Sequence, residues 1–337
     1  MRLKKKGTAG KNGKFRTIYD PDRVIRTAQY RILTEILEHV PIPEYIYGFE
    51  RNKSIPTMAK IHVGADVVVS IDLKDFFPSI KQFMVQAMFE KLGMATMPAK
   101  ILSELTTYKS FVPQGSLTAP KISNIVAAGT FGKDVATYCK EKGYTLSIYA
   151  DDITISYKDP KVAGTANRDK ALEVVGFIRQ TVRKYGFQIN EDKTKIMRRH
   201  TRQWVCGAVV NEKVNMKRAE RYQLRAIVHN CTNNGIEAEA EKAKMTTDAF
   251  IRKFAGRINW LCQLNPDKGV EYKVRFRKAA APFMKKHPEI DIPELAWNSG
   301  VEIPYEFSAE DEAIFSSKPT PEEVAKAVVA NMAVAPF

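Results

Sequence analysis

Three aspartates of this 337-residue chain have a spacing that could bring their carboxylates together on a buried sheet. Asp72 directly follows a short β-branched run, and Asp151 and Asp152 lie between two strand-like segments. The tight connection between those segments predicts a β-hairpin with the acidic pair at its tip. An adjacent acidic pair is usually an ordinary surface turn, but the apolar flanks of this pair favour a position on a buried sheet.

Carboxylates crowded on a buried sheet repel one another unless a cation lies between them. Hard divalent cations such as Mg2+ accept oxygen ligands of this kind and keep positions open for phosphate oxygens. Two such ions about 4 Å apart can activate an attacking hydroxyl and stabilise the leaving oxygen in phosphoryl transfer. Asp72, Asp151 and Asp152 therefore predict a site for two Mg2+ ions that performs nucleotidyl transfer.

The chain is strongly basic, with a formal net charge of +15, and the charge is unevenly distributed. Basic residues concentrate in segments 1–26 and 195–225, whereas acidic residues dominate segment 289–323. Such blocks favour a polyanionic partner that is bound at defined places. Nucleic acid fits this description best, although charge alone does not define the chemistry.

Other metal chemistry and a membrane location are both disfavoured by the sequence. The four cysteines are far apart without a C-x-x-C pair, and the five histidines show no metal-ligand spacing. No segment approaches the roughly 20 apolar residues that span a bilayer, and no apolar signal core follows the basic start. We therefore expect a cytoplasmic protein with reduced cysteines, no membrane partner and a metal site made of oxygen ligands.

The elements that would position the aspartates follow from hydrophobic periodicity. The predicted strands are 67–71, 145–149, 153–157 and 204–210. The predicted helices are 21–39, 79–92, 98–107, 117–138, 167–185, 217–230, 237–264, 270–286 and a last helix from a capping box at 320–323 to about Met332. This order predicts an α+β body up to about residue 211, followed by a helical region.

Three segments, in this order, resemble the palm and fingers of reverse transcriptases. They read IDLKDFF at 71–77, PQGSLTAP at 113–120 and YADD at 149–152. Segments 14–19, 47–62, 185–193 and 204–211 resemble further blocks of the bacterial enzymes, so the resemblance covers most of the chain.

Among the bacterial families, the chain is most similar to the retron type, which is short and carries a Q-G-x-x-x-S-P block and a V-T-G triplet. Ala119 replaces the usual Ser of the first block, and Cys206 replaces the usual Thr of the triplet. Met58 replaces the usual Asn of an N-A-x-x-H block that ends at His62. These departures leave the aspartates untouched and fall in the part of the family that recognises RNA.

The resemblance implies an α+β fold with the right-hand polymerase architecture, in which fingers and palm combine an antiparallel sheet with helices and the thumb is helical. It implies a flexible basic arm at 1–15, fingers and palm at 16–211, a thumb at 212–300, and an acidic C-terminal tail with a terminal helix at 301–337.

The resemblance also assigns roles to individual residues. Asp72, Asp151 and Asp152 would be catalytic and hold the metal, and Lys193 would donate a proton to the leaving pyrophosphate; a surface lysine is the alternative. Phe77 would be an aromatic gate that rejects a 2′-hydroxyl, with core packing as the alternative. The other expected nucleotide-binding residues are Lys14, Arg16, Asp75, Gln114 and Gly115. The expected nucleic-acid-binding residues are His62, Val205, Cys206, Gly207 and four cations at helical spacing, Lys217, Arg218, Arg221 and Arg225.

A retron-type enzyme would bind a cognate structured non-coding RNA and use deoxynucleoside triphosphates to build an RNA–DNA hybrid. Its product would be msDNA, a short single-stranded DNA joined to RNA by a 2′–5′ branch. Such systems usually act in anti-phage defence with an accessory effector protein. The acidic tail could contact that effector, or it could pack on its own basic thumb.

Four alternatives remain at this point. A group II intron-like enzyme usually carries extra domains, for which this chain has little room, and a diversity-generating enzyme usually alters the Q-G block, which is intact here. An abortive-infection enzyme that polymerises without a template is the third. The fourth is a non-catalytic RNA-binding scaffold for a defence effector, which has no physical need for three converging carboxylates.

Overall fold

The computed structural model describes residues 6–9, 15–158 and 166–295, in which short strands alternate with helices. The strands are β1 (Lys6–Ala9), β2 (Phe15–Ile18), β3 (Val67–Asp72), β4 (Thr145–Tyr149), β5 (Asp152–Tyr157), β6 (Lys195–Arg198), β7 (Trp204–Val205) and β8 (Ala208–Val209). The helices are α1 (Arg23–Glu35), α2 (Ile55–Lys60), α3 (Phe76–Ser79), α4 (Gln82–Lys91), α5 (Thr96–Thr106), α6 (Ala119–Gly129), α7 (Phe131–Lys142), α8 (Ala166–Lys184), α9 (Arg218–Asn234), α10 (Ile236–Lys242), α11 (Thr247–Leu264) and α12 (Pro266–Lys286). Short 3-10 helices span Leu37–His39, Glu191–Lys193 and Pro293–Leu295.

The chain divides into two units, Met1–Val214 and Asn215–Phe337. β3 is a central strand of the first unit, in a four-stranded antiparallel sheet with the order β4-β5-β3-β6. Its β-branched side chains suit a strand covered on both faces, and the adjacent Val68 and Val69, which lie on opposite faces, are both buried. Together with the helices that follow, this sheet confirms the predicted α+β class.

Aromatic packing fixes the helices behind the end of β3. The ring of Phe187, which follows α8, lies 5.8 Å from the ring of Phe76 in α3 and 5.2 Å from the ring of Phe131 in α7. All three side chains are buried. Such edge-on and tilted aromatic pairs each add about 0.5–1.5 kcal/mol beyond the burial of their surface. The end of β3 therefore has a rigid support.

Two predicted helices are divided in the structure. The helix expected at 117–138 becomes α6 and α7, separated at Thr130 with φ −125° and ψ −118°. The helix expected at 79–92 corresponds to the undivided α4, which begins three residues later, at Gln82. The helix expected at 237–264 becomes α10 and α11, and between them Lys244 has a left-handed φ of 54°. Periodicity continues across such breaks because both halves bury the same kind of face.

Five short α-helices and strands of the described residues were not predicted from the sequence. They are α2, which begins with a capping box between Ser54 and Thr57, α3, the edge strand β6, and the paired strands β1 and β2. The single strand expected at 204–210 is instead the hairpin β7–β8. Its turn residues Cys206 and Gly207 both have positive φ, 44° and 89°, as tight hairpin turns of this type require.

The N-terminal segment differs from the expected flexible arm. β1 pairs with β2 in antiparallel register, Lys6 opposite Ile18, so the expected boundary at residue 16 falls inside a hairpin. The acidic tail at 301–337 and its terminal helix lie outside the described residues. Within the part of the chain that the structure describes, the helices are all too short or too polar to cross a membrane.

The second unit contains the helices α9 to α12, packed around a core that includes Phe250, Phe276 and Leu261. α11 and α12 are joined at Asn265, whose side chain accepts a hydrogen bond from the N–H of Lys268. The two helices approach so closely that a Cβ at Gly269 would lie 2.3 Å from the Cα of Cys262. Only glycine fits there.

Candidate active site

Two of the predicted catalytic aspartates are paired across the central sheet. Asp72, the last residue of β3, lies directly opposite Asp152, the first residue of β5. Asp151 precedes it in the turn, where Ala150 has a left-handed φ of 52°. The backbone N–H of Leu73 donates to the carbonyl of Asp151 at 2.8 Å, which ties this turn to the end of β3. Sequence analysis predicted this convergence, and the register explains it.

Lys193 reaches the same carboxylates from a separate segment. The N–H of Asn190 donates to the carbonyl of Asp72 at 2.7 Å, which brings the following 3-10 helix beside β3. At the end of that helix, the Nζ of Lys193 lies 2.9 and 2.8 Å from the two carboxylate oxygens of Asp72. The Lys193 side chain is 53% exposed, whereas that of Asp72 is only 11% exposed. A half-exposed ammonium therefore pairs with a largely buried carboxylate.

The environment of Asp152 strongly disfavours its negative charge. Burial, followed by repulsion from Asp151 and Asp72, raises the pKa of Asp152 to about 6, against a smaller opposing effect of Lys193. The thiol of Cys206, on the β7–β8 turn, donates to an oxygen of Asp152 at 3.8 Å. Burial and the Asp152 carboxylate raise the pKa of that thiol to about 12, so it remains protonated. A cation bound between these carboxylates would relieve their repulsion, so the arrangement favours cation binding.

The donor set fits a hard divalent cation, because all three groups are carboxylates. Among the described residues, however, no group of three or more His, Cys, Asp and Glu side chains is arranged so that it could hold a metal ion. The Nζ of Lys193 contacts both oxygens of Asp72.

Phe77 follows Asp72 by five residues and belongs to α3. It is partly buried, and its ring is 5.6 Å from that of Phe76, so it is anchored in the core. Asp75 is exposed and has a left-handed φ of 46°, immediately before α3. Phe49, which sequence analysis did not single out, lies 6.4 Å from Phe77 and 6.0 Å from Tyr149, ring to ring. The sequence signal that could have identified Phe49 is the preceding Gly48, because a glycine often marks a close approach between backbone segments.

The Q-G block contacts the segment that follows the N-terminal hairpin β1–β2. The N–H of Tyr19, just after β2, donates to the carbonyl of Gln114 at 2.9 Å. Gly115 has a φ of 107°, and a Cβ there would lie 2.6 Å from Ile18 Cγ2. Glycine is therefore required at 115 by the approach of the chain itself. Arg16 belongs to β2, and Lys14 lies outside the described residues.

Two predicted nucleic-acid contacts need correction. His62 has no exposed surface: its Nδ1 lies 2.7 Å from the hydroxyl of Ser156 and its Nε2 lies 2.8 Å from the hydroxyl of Ser147. The ring therefore bridges β4 and β5 inside the sheet and does not reach a ligand. Val205 is 1% exposed and belongs to the core, because alternate residues of β7 point inward.

The four cations of the second unit lie at the start of α9. Lys217 precedes the helix, and Arg218 donates from Nε to the hydroxyl of Tyr222 at 3.0 Å. Arg225 lines an open groove of about 290 Å³ with Tyr222, Ala226, His229 and Arg275. Arg218 and Arg225 are exposed and Arg221 is partly buried. The helical spacing predicted for these side chains is therefore present.

Residues 3–217 match the family described as reverse transcriptase (RNA-dependent DNA polymerase). The match covers more than half of the chain, and the chain therefore belongs to the reverse transcriptase family. The similarity to retron enzymes that the motifs predicted is confirmed by the curated relatives.

The Retron Mx162 reverse transcriptase of Myxococcus xanthus is 34% identical over 270 residues, which are 72% of this chain and 55% of that protein. The Retron Ec86 reverse transcriptase of Escherichia coli is 31% identical over 221 residues, 65% of this chain and 66% of that protein. The chain thus spans less than two thirds of the length of either relative. A solved structure of apo telomerase from Candida tropicalis has a TM-score of 0.43 at 10% identity, covering 79% of this chain and 49% of that one.

Proposed function

We propose that this chain is the RNA-directed DNA polymerase of a retron. The observation that carries the proposal is the pairing of Asp72 with Asp152 at one end of the sheet, with Asp151 in the adjoining turn and Lys193 on Asp72. This constellation lies inside the segment that matches the reverse transcriptase family. Polymerisation would join the 3′-hydroxyl of a primer to the α-phosphate of a deoxynucleoside triphosphate and release pyrophosphate.

Asp72, Asp151 and Asp152 would hold two Mg2+ ions. The support is chemical: the three carboxylates supply hard oxygen donors, and burial, followed by repulsion from Asp151 and Asp72, raises the pKa of Asp152. Bound Mg2+ would supply Lewis acidity toward the phosphate oxygens. The half-exposed ammonium of Lys193 would donate a proton to the departing pyrophosphate.

The nucleotide would bind between the aspartates and the residues around Phe77. We propose that Phe77 rejects a 2′-hydroxyl by steric contact and that Asp75 supports the triphosphate region. Gln114 and Gly115 would lie near the template and the incoming base, with Lys14 and Arg16 toward the triphosphate. The bond between Tyr19 and Gln114 supports this grouping, because it joins the segment after β2 to the Q-G block.

The nucleic-acid partners would be a cognate structured RNA and the RNA–DNA hybrid made from it. Cys206 and Gly207 would face the primer side, and Lys217, Arg218, Arg221 and Arg225 would bind phosphates along α9. The product would be msDNA, and the system would serve anti-phage defence, with an accessory effector protein as a further partner. The retron relatives support this proposal.

The test is to express the gene with its native flanking DNA and to analyse RNase-treated nucleic acid on a denaturing gel. The comparison variant is Asp151→Ala with Asp152→Ala. The matched control is Glu173→Gln, which removes an exposed charge of α8 that pairs with Lys142 and contacts none of the catalytic aspartates in the described structure. We expect a discrete short DNA from the native protein and the control, and none from the double variant.

The other outcomes separate the levels of the proposal. If a debranching enzyme shifts the undigested species, the RNA–DNA branch of a retron product is established. Activity on a generic primed RNA without the discrete DNA would retain the polymerase and exclude the retron product. A native protein that binds RNA but incorporates nothing on any template would be a scaffold.

A further inference from the structure

Phe49 lies on the active-site side of the palm in a conformation that bulky residues rarely adopt. Its φ is 60°, in the left-handed region, and its side chain is exposed (49%). For a non-glycine residue this conformation costs free energy and persists only where the surroundings enforce it. An exposed aromatic ring gains little from burial, so its own packing does not explain why the chain keeps it there.

The segment around Phe49 is attached to the catalytic hairpin by main-chain contacts. The N–H of Ile148 donates to the carbonyl of Tyr45 at 2.7 Å, and the N–H of Tyr47 donates to the carbonyl of Ile148 at 2.8 Å. Segment 45–49 thus runs beside β4 toward the turn. A Cβ at Gly48 would lie 2.8 Å from the backbone nitrogen of Ala150, so only glycine permits this approach.

A largely buried polar cluster then fixes the other side of Phe49. The Nδ2 of Asn124 donates to the carbonyl of Gly48 at 2.6 Å and to a carboxylate oxygen of Glu50 at 2.8 Å. The Nζ of Lys121 lies 3.1 and 2.9 Å from the two oxygens of Glu50, and these side chains are only 12% and 14% exposed. Both neighbours of Phe49 are therefore held by α6.

The ion pair between Glu50 and Lys121 is held by several hydrogen bonds. The carboxylate of Glu50 receives three short contacts from two side chains of one helix, which satisfies the requirement for burying such a charge. α6 begins at Ala119, within the Q-G block, so the cluster also connects Phe49 with the segment proposed to face the template and the incoming base.

Three aromatic rings result, with Phe49 in the middle. Its ring centroid lies 6.4 Å from that of Phe77 and 6.0 Å from that of Tyr149. Phe77 follows Asp72 by five residues, and Tyr149 lies opposite Asp152 in the sheet. The rings therefore form a continuous apolar surface next to the carboxylates, which suits the carbon face of a deoxyribose and not a hydrated 2′-hydroxyl.

We propose that Phe49 is a specificity-determining residue, which closes the sugar pocket together with Phe77 and Tyr149, and that Glu50, Lys121 and Asn124 are positioning residues that hold it. The ligand is the deoxyribose of the incoming nucleotide. This inference rests on the proposed polymerase function. It adds the ring of Phe49, which comes from a different part of the chain, to the proposed sugar pocket beside Phe77.

The test measures single-nucleotide incorporation on a primed RNA with a deoxynucleotide and with the matching ribonucleotide. The variants are Phe49→Ala and Phe49→Leu, which keeps an apolar side chain without the ring. Phe83→Ala is the control, because Phe83 is also an exposed phenylalanine (71%) but lies on α4. We expect the ratio of kcat/KM for deoxynucleotide over ribonucleotide to fall at least tenfold in both Phe49 variants and to stay within twofold in the control.

The positioning role is tested by Glu50→Gln and by the double variant Glu50→Gln with Lys121→Met. The expected result is the same fall in the deoxy-to-ribo ratio, about threefold to tenfold, at a temperature where circular dichroism shows the variants folded. General loss of structure lowers both rates together and leaves the ratio unchanged, so the ratio separates the two causes.

Two results would overturn the inference. One is an unchanged ratio in both Phe49 variants. The other is an effect confined to the KM for the primer, which would place Phe49 at the primer end. Failure of the native protein to incorporate any nucleotide would count against the polymerase itself, so this experiment distinguishes the two proposals.

Discussion

At the scale of single residues, the site is governed by excess negative charge in a buried place. Asp72 and Asp152 face each other across the sheet, and among the described residues Lys193 is the cation that contacts Asp72. The raised pKa of Asp152 is the measurable result. A cluster of mutually repelling carboxylates binds cations more strongly than separated carboxylates do, because the cation relieves the repulsion.

Replacement of Lys193 should affect the chemical step more than substrate binding. In Lys193→Ala the leaving pyrophosphate loses its proposed proton donor, and general acids of this kind contribute about 10²–10⁴-fold to a rate. We expect single-turnover incorporation to slow by at least 10²-fold, with a change of less than about threefold in the nucleotide concentration that gives half the maximal rate.

Lys193→Arg is the matched control for that experiment. Arginine keeps the positive charge beside Asp72 but holds its proton much more tightly. It should therefore keep the binding of nucleotide and lose most of the rate. Full activity in Lys193→Ala would show that the lysine is only a surface counter-ion.

His62 makes the stability of the palm depend on pH. Burial lowers the pKa of this ring to about 4, from an ordinary value of 6.5. Below pH 6.5 the unfolded chain binds a proton at His62 that the folded chain does not bind, so the folded state loses stability as the pH falls from 6.5 toward 4. Above pH 6.5 the ring is neutral in both states and this loss is absent. The shift corresponds to about 3 kcal/mol of unfolding free energy. Asp152 acts in the opposite direction below pH 6, because its folded-state pKa is raised.

The prediction is therefore made as a difference between two proteins. Urea unfolding at pH 7 and at pH 4.5 should show a larger loss of stability for the native chain than for His62→Gln, which cannot titrate in this range. We expect the difference to be about 2–3 kcal/mol. Equal pH dependence of the two proteins would show that the ring is protonated, or accessible, in the folded state.

At the scale of elements, the catalytic turn is positioned by the close approach of segment 45–49. Gly48→Ala would push this segment away, since its Cβ would lie 2.8 Å from the nitrogen of Ala150. A displacement of about 1 Å in a polymerase site can cost about 10²-fold in rate. We expect Gly48→Ala to lose at least tenfold in kcat and about 1–3 kcal/mol in stability.

Gly176→Ala provides the control for that change. Gly176 lies in α8, and a Cβ there would meet nothing within 4 Å. Alanine is the better helix former by about 1 kcal/mol, so this variant should be as active as the native protein and slightly more stable. Loss of activity in both variants would point to a general sensitivity to glycine replacement.

The elements also show where sequence reasoning succeeds. β4 was predicted with the bounds it has, and β3 and β5 each to within one residue, because a buried β-branched run between polar turns has few alternatives. The division of 117–138 at Thr130 was missed, since it depends on the packing of Gly132 against Ala127. The burial of His62 was missed for the same reason: a motif position does not reveal its neighbours in space.

At the scale of the whole molecule, the net charge of +15 predicts strong electrostatic binding to nucleic acid. Overall charge alone would attract RNA anywhere, whereas α9 offers cations on a regular helical spacing. Neutralising Lys217, Arg218, Arg221 and Arg225 to Gln tests this distinction. If these side chains each contact a phosphate, the slope of log affinity against log salt should fall by about one for each contact.

The control neutralises four exposed lysines in the first unit, Lys91, Lys100, Lys140 and Lys142, so that both variants have the same net charge. Fluorescence anisotropy with an RNA–DNA hybrid, measured between about 50 and 200 mM salt, gives the slopes. We expect the magnitude of the slope of log affinity against log salt to fall by about 2–4 in the α9 variant and by less than about one in the control. Equal slopes in the two variants would mean that net charge, and not α9, determines the affinity, and the proposed role of these four residues would be wrong.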